Sequence, residues 1–319
     1  MANILLTQHC NQQCPYCFAS YNSDNADISF ENFVKAVDFI KKTPNAKIGL
    51  LGGEPLLHPQ FKEMCAYLCS DVSVSNVVLY TNGILLHKYM GCFSQEKFAF
   101  LININEKAFY TPHNWDLLTK NISELCERYS TDNVLLGVNI YKQGQNFDDL
   151  IALIRDLSMK KVRISLAIPH NAHEVTQKEQ YENLKYDLLR FFEKLAEIDA
   201  VPQFDCNKLP LCYYEKEDVE KIKAIFGRKI LNTNLLSTER ACHPVLDIYP
   251  DLTVCRCFGY TGLRFNLLDF RNINDIKQAF VNKIDKYCFD QYVTDKCSGC
   301  YLNTTMNCMG GCLSYRKKI

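Results

Sequence analysis

The chain of 319 residues carries 36 Lys and Arg against 36 Asp and Glu, and 47% of it is hydrophobic. This balance excludes the broad positive field of a nucleic-acid binder, and the lack of an apolar run of about 18 residues excludes a membrane span. With 17 cysteines and no basic targeting segment in "MANILLTQHC", a cytoplasmic protein is expected, whose thiols serve metal ligation rather than disulfides.

Short apolar runs alternate with helical patterns up to about residue 200. Strands are expected over 3–8, 46–53, 76–83, 98–105, 133–141 and 161–169. Between the first two, Phe30, Phe33, Val34 and Val37 repeat at helical spacing behind Ser29, a plausible N-cap. Phe147, Leu150, Ile151 and Ile154 mark a second helix. Leu184, Leu188, Phe191, Leu195 and Ile198 mark a long third one. Strands alternating with helices predict βαβ units and a parallel sheet, and about six such units would curl into an open barrel. Several strands alternate in polarity. Phe100, Ile102 and Ile104 face one way and Asn103 and Asn105 the other; Asn139 is flanked by Val138 and Ile140, and Arg163 and Ser165 by apolar neighbours. A barrel filled only by packing would not choose such residues. A polar lumen that takes a ligand is expected, with an exposed sheet face as the plainer alternative.

Beyond residue 200 the pattern changes. One charged helical stretch (216–226) precedes a second dense set of cysteines in a region too irregular to fold without a staple, which metal clusters would supply. Two parts are therefore expected, a barrel over 1–200 and a small cysteine-rich domain over 201–319.

Close to the N-terminus "HCNQQCPYCF" places Cys10, Cys14 and Cys17 as C-x3-C-x2-C on a loop after the first strand. A zinc ribbon presents cysteines in pairs and a redox motif presents two. Three would ligate three irons of a four-iron cluster and leave the fourth open to a small molecule. This spacing, followed by the aromatic Phe18, resembles the signature of the radical S-adenosylmethionine (SAM) superfamily. The segment "LLGGEP" resembles that family's second element, so Gly52, Gly53 and Glu54 are expected at the cofactor's methionine amino group; glycines admit close backbone approach and a carboxylate complements an ammonium. By the same resemblance Asn103 or Asn105 is expected at the ribose and Asn139 at the carboxylate or ribose, although many relatives carry Ser or Asp on the fourth strand. Thr81 and Asn82 match a strand-end turn common in the family.

The resemblance covers roughly residues 1–200. It implies a partial (β/α)6 barrel of TIM type holding S-adenosyl-L-methionine and a 4Fe-4S cluster. It also implies reductive cleavage of the cofactor to a 5′-deoxyadenosyl radical that removes hydrogen from an unactivated carbon, fed by an electron donor such as flavodoxin or ferredoxin. The tail gives Cys297, Cys300, Cys308 and Cys312 as C-x2-C-x7-C-x3-C, and Cys242, Cys255 and Cys257 lie upstream. Together they resemble the SPASM or twitch extensions that hold auxiliary iron–sulfur clusters. "DLTVCRC" fits the family's D-G-x-V-x-P-C turn with Cys257 as ligand, Leu252 in place of the glycine and Arg256 in place of the proline; Cys255 then ranks second. The gap before Cys308 is longer than usual, and no counterpart of the family's last cysteine precedes Ile319. Cys206 and Cys212 in "DCNKLPLC" would compensate. Eight ligands then suffice for two clusters; alternatively one is complete and the second is missing or has an open iron. A structural zinc site would satisfy the tail as well.

Cys65, Cys69, Cys92, Cys126 and Cys288 read as core residues, and His9 and His243 as locally hydrogen-bonded. Tyr213, Tyr214 and Tyr301 lie near cysteines and carry little weight as hydrogen donors. SPASM enzymes mostly modify peptides or proteins, so a maturase that cross-links, oxidises or epimerises a peptide is expected. The barrel begins almost at Met1, which leaves a leader peptide to a separate binding protein or to the C-terminal region. A radical enzyme acting on a small metabolite is one rival; a non-catalytic zinc or electron-transfer protein is another.

Overall fold

The computed structural model describes residues 1–17, 26–129, 131–168, 176–239, 241–289, 291 and 295–315. Every expected strand forms: β1 (Ala2–Leu5), β2 (Ile48–Leu51), β3 (Val77–Thr81), β4 (Phe98–Asn103), β5 (Val134–Ile140) and β6 (Lys161–Leu166). Pro169, at the end of the last expected run, lies outside the described residues, as does Phe18. Helices α1 (Phe30–Lys41), α2 (Phe61–Ser70), α3 (Pro112–Tyr129), α4 (Asp148–Asp156) and α5 (Gln177–Glu197) fill the crossovers, except between β3 and β4, where only short 3-10 turns occur. Ser29 caps α1 by accepting from the Asn32 N–H, and a Thr176–Glu179 capping box opens α5. Both devices satisfy orphan amides of a first turn.

The strands form an open ten-stranded sheet in the order β10-β9-β8-β1-β2-β3-β4-β5-β6-β7. Neighbours from β1 to β7 pair in parallel, so the fold is a partial α/β barrel. Two additions go beyond the expected six strands. β7 (Val201–Cys206) joins β6 in parallel. β8 (Asp247–Ile248) lies parallel to β1 and continues antiparallel into β9 (Thr253–Cys257) and β10 (Tyr260–Asn266). The expected boundary at residue 200 falls just before β7, and the sheet runs across it. β7 was illegible because "VPQFDC" breaks the alternation with Pro202 and Asp205, and β8 is only two residues long.

The polarity pattern sorts as its period demands. Ile4, Leu50, Leu79, Phe100, Ile102, Leu136, Val138 and Ile164 are buried in the main core with the faces of the helices. From α1, Phe33, Val37 and Ile40 join them with no exposed surface, each contributing about 1.5–3 kcal/mol by burial. The opposite face aligns Asn103 with Gly137, Gly137 with Arg163, and Asn139 with Ser165 across β4, β5 and β6. A satellite cluster of Leu5, Tyr249 and Cys255, with Leu51 against it, lies apart from the main core. α6 (Lys216–Phe226) forms where the charged stretch was expected, and α7 (Ile273–Phe280) runs into a π-turn over Val281–Asp285. Among the described residues no helix is long and apolar enough to cross a membrane.

Candidate functional site

The cysteine loop leaves β1 and is gripped by the "GGEP" segment. The Gly53 N–H donates to the Thr7 carbonyl and the Glu54 N–H to the His9 carbonyl, both at 2.8 Å. Gly52 has a φ of +157°, and a Cβ there would meet the Thr7 carbonyl oxygen at 2.2 Å; one on Gly53 would meet the His9 oxygen at 2.3 Å. In this chain the close approach that the glycines permit is to the stem of the cysteine loop itself.

Glu54 has no exposed surface. Its Oε1 accepts from Thr81 Oγ1 at 2.7 Å and from the Leu56 N–H at 3.2 Å, and its Oε2 from the Asn82 N–H at 2.8 Å. Burial lifts its carboxyl to about 7 against those three bonds. A carboxylate offers about four lone-pair sites, so Oε2 keeps acceptor capacity. Asn82 Nδ2 in turn donates to Asn11 Oδ1 at 2.7 Å, which ties the β3 end to the cysteine loop. The strand-end turn expected at Thr81 and Asn82 is thus the clamp between the two sequence motifs.

Asn105 reaches the loop from beyond β4. Its Nδ2 lies 3.2 Å from Cys14 Sγ and donates at 3.2 Å to Gln12 Oε1, while its Oδ1 accepts from the Tyr16 hydroxyl. Tyr16 packs against Tyr141 with ring centroids 5.1 Å apart. Asn139 Oδ1 accepts from Arg163 Nη1 at 3.0 Å, and Arg163 Nε pairs with Asp205 at 3.2 Å. Asn103 Oδ1 is buried without a partner among the described residues, an acceptor facing the polar side of the sheet. Cys10 is exposed, and Cys14 and Cys17 are partly buried. Although Cys10 is exposed as a residue, partial desolvation of its sulfur within the loop pushes the thiol up to about 11, with Glu54, Cys14 and Cys17 adding to the rise; a metal bound here must displace protons.

The C-terminal cysteines fall into two neighbourhoods. The Tyr181 hydroxyl donates to Asn207 Oδ1, beside Cys206, and accepts from the Cys312 N–H at 3.2 Å. Cys312 Sγ lies 3.3 Å from Ser314 Oγ, and Ser314 abuts Gly259, just past Cys257. Cys242 is held beside Cys257 by Arg256, whose Nη1 is 3.4 Å from Cys242 Sγ. Cys206 is exposed as a residue, yet desolvation of its sulfur, then Cys312 and Cys242, raise its thiol; desolvation, then neighbours including Cys242 and Cys312, raise that of the partly buried Cys257. The second neighbourhood centres on the tail. The Cys300 N–H donates to the Cys297 carbonyl at 3.1 Å, and the Gly310 N–H to Cys308 Sγ at 3.3 Å. Cys212 is exposed as a residue, and its thiol is raised by partial desolvation of the sulfur and then by Cys297 and Cys308. Among the described residues no three His, Cys, Asp or Glu side chains are drawn together as a single ion would draw them, within about 2.3 Å of one point for zinc.

Leu252, where the resemblance has glycine, takes a φ of +65°, the left-handed conformation glycine supplies. Cys255 is fully buried in the satellite cluster, away from both groups. Cys65 and Cys288 are core residues, with Cys69, Cys92 and Cys126 packed against that core. His243 bonds Glu239, four residues earlier in the chain. Tyr301 is 74% exposed. Sequence reasoning missed Asp285, Tyr181 and Asn207. Tyr181 hides in the apolar stripe of α5, and nothing in the local pattern marks the π-turn that carries Asp285.

Comparison with known proteins gives the same family. The family model described as the Radical SAM superfamily matches residues 4–168. A 7,8-dihydro-6-hydroxymethylpterin dimethyltransferase of Methanocaldococcus jannaschii is 30% identical over 168 residues, covering 49% of this chain and 33% of that protein. A GTP 3',8-cyclase of Campylobacter jejuni is 25% identical over 230 residues, covering 68% and 69%. The chain spans a third or less of the length of the first curated relatives it matches. Among solved structures, anSMEcpe with bound AdoMet and Kp18Cys peptide superposes with a TM-score of 0.66 at 17% identity, covering 99% of this chain and 90% of that one. Streptococcus suis SuiB bound to precursor peptide SuiA superposes at 0.65 and 12% identity, covering 98% and 71%. At such identities the likeness is one of fold.

Proposed function

The chain belongs to the radical SAM superfamily, and from that premise we propose that it is an enzyme that abstracts hydrogen from a peptide or protein and so matures it by cross-linking, oxidation or epimerisation. The observation that carries this reading is the pairing of an open, polar-faced sheet with two neighbourhoods of C-terminal thiols, a combination supported by fold neighbours whose structures hold a peptide.

The residues present fit the implied cofactors. Cys10, Cys14 and Cys17 would hold the cluster, and the unpartnered Asn103 Oδ1 offers an acceptor to the donors of S-adenosyl-L-methionine. Bound together, cluster and cofactor supply one-electron chemistry strong enough to take a hydrogen atom from an unactivated carbon. The protein's part is to position and to exclude water. Gly52 and Gly53 seat the stem of the cysteine loop, Glu54 locks that stem to β3, and Asn105 fixes the Cys14 sulfur. Asn139 and Arg163 order the polar face against which a substrate would lie.

Cys206, Cys242, Cys257 and Cys312 are proposed to hold one auxiliary 4Fe-4S cluster, and Cys212, Cys297, Cys300 and Cys308 a second. Both sets lack a free corner, so these clusters would serve electron transfer from the substrate rather than bind it directly. A flavodoxin- or ferredoxin-like donor, and for a ribosomal peptide a separate leader-binding protein, complete the proposed partners.

A second reading, a radical enzyme acting on a small molecule, is favoured by the GTP 3',8-cyclase matched over 68% of this chain. Anaerobic turnover separates the two. The reconstituted protein is expected to yield 5′-deoxyadenosine, and a peptide product lighter by two hydrogens, or of unchanged mass with solvent deuterium taken up. Turnover of a nucleotide or other metabolite with no peptide accepted would favour the second reading. Zinc with no cofactor cleavage would refute both.

A further inference from the structure

Arg256 has no exposed surface, a position almost never given to a guanidinium unless it is paired. Its Nε and Nη2 donate to the two carboxylate oxygens of Asp285 at 2.5 and 3.0 Å. Nη2 also donates to the Cys242 carbonyl, and Nη1 points to Cys242 Sγ at 3.4 Å. Asp285 is itself 4% exposed and closes the π-turn after α7, a helix irregularity often found at functional positions. The guanidinium therefore offers one edge to a carboxylate and the other to a sulfur.

Stability gives no reason for this arrangement. A buried ion pair is often matched or bettered by apolar residues of similar volume. We propose that Arg256, positioned by Asp285, sets the reduction potential of the auxiliary cluster held by Cys206, Cys242, Cys257 and Cys312; the proposal rests on the ligand assignment made above. An N–H donor and a positive charge beside a cluster sulfur favour the more negative, reduced state and so raise the potential. Asp285 offsets part of that charge. The two residues must then act with opposite sign, which a merely structural ion pair would not do.

The test is an EPR-monitored potentiometric titration of full-length, anaerobically reconstituted protein in which Cys10, Cys14 and Cys17 are replaced by Ala to silence the N-terminal cluster. Arg256→Gln is expected to shift the reduction equilibrium of one auxiliary signal about tenfold toward the oxidised form, about 59 mV for a one-electron couple. Asp285→Asn is expected to move the same signal the other way by a similar factor, and the second auxiliary signal should hold still. Potentials that stay put in both variants, or move in the same direction, overturn the proposal. Where only one variant retains its iron, the sign of its shift decides; loss of the cluster in both overturns the proposal in favour of a purely structural pair. Failure of the ligand assignment reads out separately, as a parent protein without about eight auxiliary irons per chain or a Cys257→Ala variant that keeps both auxiliary signals.

Discussion

Asp247 provides a sharp test of the energetics of the polar face. It lies on β8 with 2% exposure, its Oδ1 accepting from Asn3 Nδ2 at 2.7 Å and its Oδ2 from the Phe258 N–H at 2.8 Å. Burial outweighs both bonds and lifts the carboxyl from 3.8 to about 7. The folded state therefore holds a proton that the unfolded chain has lost. The stability this lends is fully present below about pH 4 and falls away as pH rises through about 7. At 1.36 kcal/mol per unit, the ionised carboxylate costs about 4 kcal/mol at pH 8, of which about 2 kcal/mol is lost between pH 5.5 and 8.

Asp247→Asn removes that cost at little loss of bonding. The amide oxygen keeps the bond from Phe258, and the new NH2 faces Asn3, whose Oδ1 is buried without a partner among the described residues; a flip of Asn3 suffices. The variant is expected to be more stable than the parent, by a margin that widens by about 2 kcal/mol from pH 5.5 to pH 8. Urea denaturation midpoints of the reconstituted proteins across that range measure it. A constant difference between the two proteins across the window, or a variant less stable at pH 8, would refute the reasoning.

The remaining predictions concern the cysteines and their supports. Gly53→Ala drives a Cβ to 2.3 Å from the His9 oxygen and 2.7 Å from that of Gln8; overpacking against backbone is expected to cost about 1–3 kcal/mol, and iron analysis should show about four fewer irons per chain. Asn105→Ala removes the donor at Cys14 and is expected to slow 5′-deoxyadenosine formation about tenfold or more, the worth of a bond to a charged acceptor, while iron content is kept. Cys255→Ala should leave the iron count unchanged, whereas Cys257→Ala should lower it; equal effects would show that the ligand frame of β9 is misplaced.

The barrel was readable because its two periodicities do not compete. The run around Phe100, Ile102 and Ile104 could be sorted from Asn103 and Asn105 by alternation alone, and the Ser29 cap by its residue type. The role of the glycines was readable only in part. Gly52 and Gly53 announce a close approach, but which backbone comes close is a long-range fact, and here it is Thr7 and His9. The sequence grouped Cys206 and Cys212 as one supplement because they are near in the chain; in space they sit with different partners. Leu252 shows the opposite case, where a departure from the family pattern still adopts the left-handed backbone that glycine favours. Its φ of +65° is held by bonds from its N–H to Tyr249 and from Leu267 to its carbonyl, at about 1–2 kcal/mol of strain. Asp285 was out of reach, since a π-turn follows from packing.

The pairing of β8 with β1 carries a lesson for protein engineering. Asn3 aligns with Asp247 and Ile4 with Ile248, so the strand that launches the cysteine loop has neighbours on both sides. Cutting the chain near residue 200 would bare a hydrogen-bonding edge on β1, an invitation to aggregation, and would strip β7 from the far rim. Chimaeras that exchange C-terminal portions between relatives must therefore carry the β1 register with them, because the sheet continues from β1 into β8.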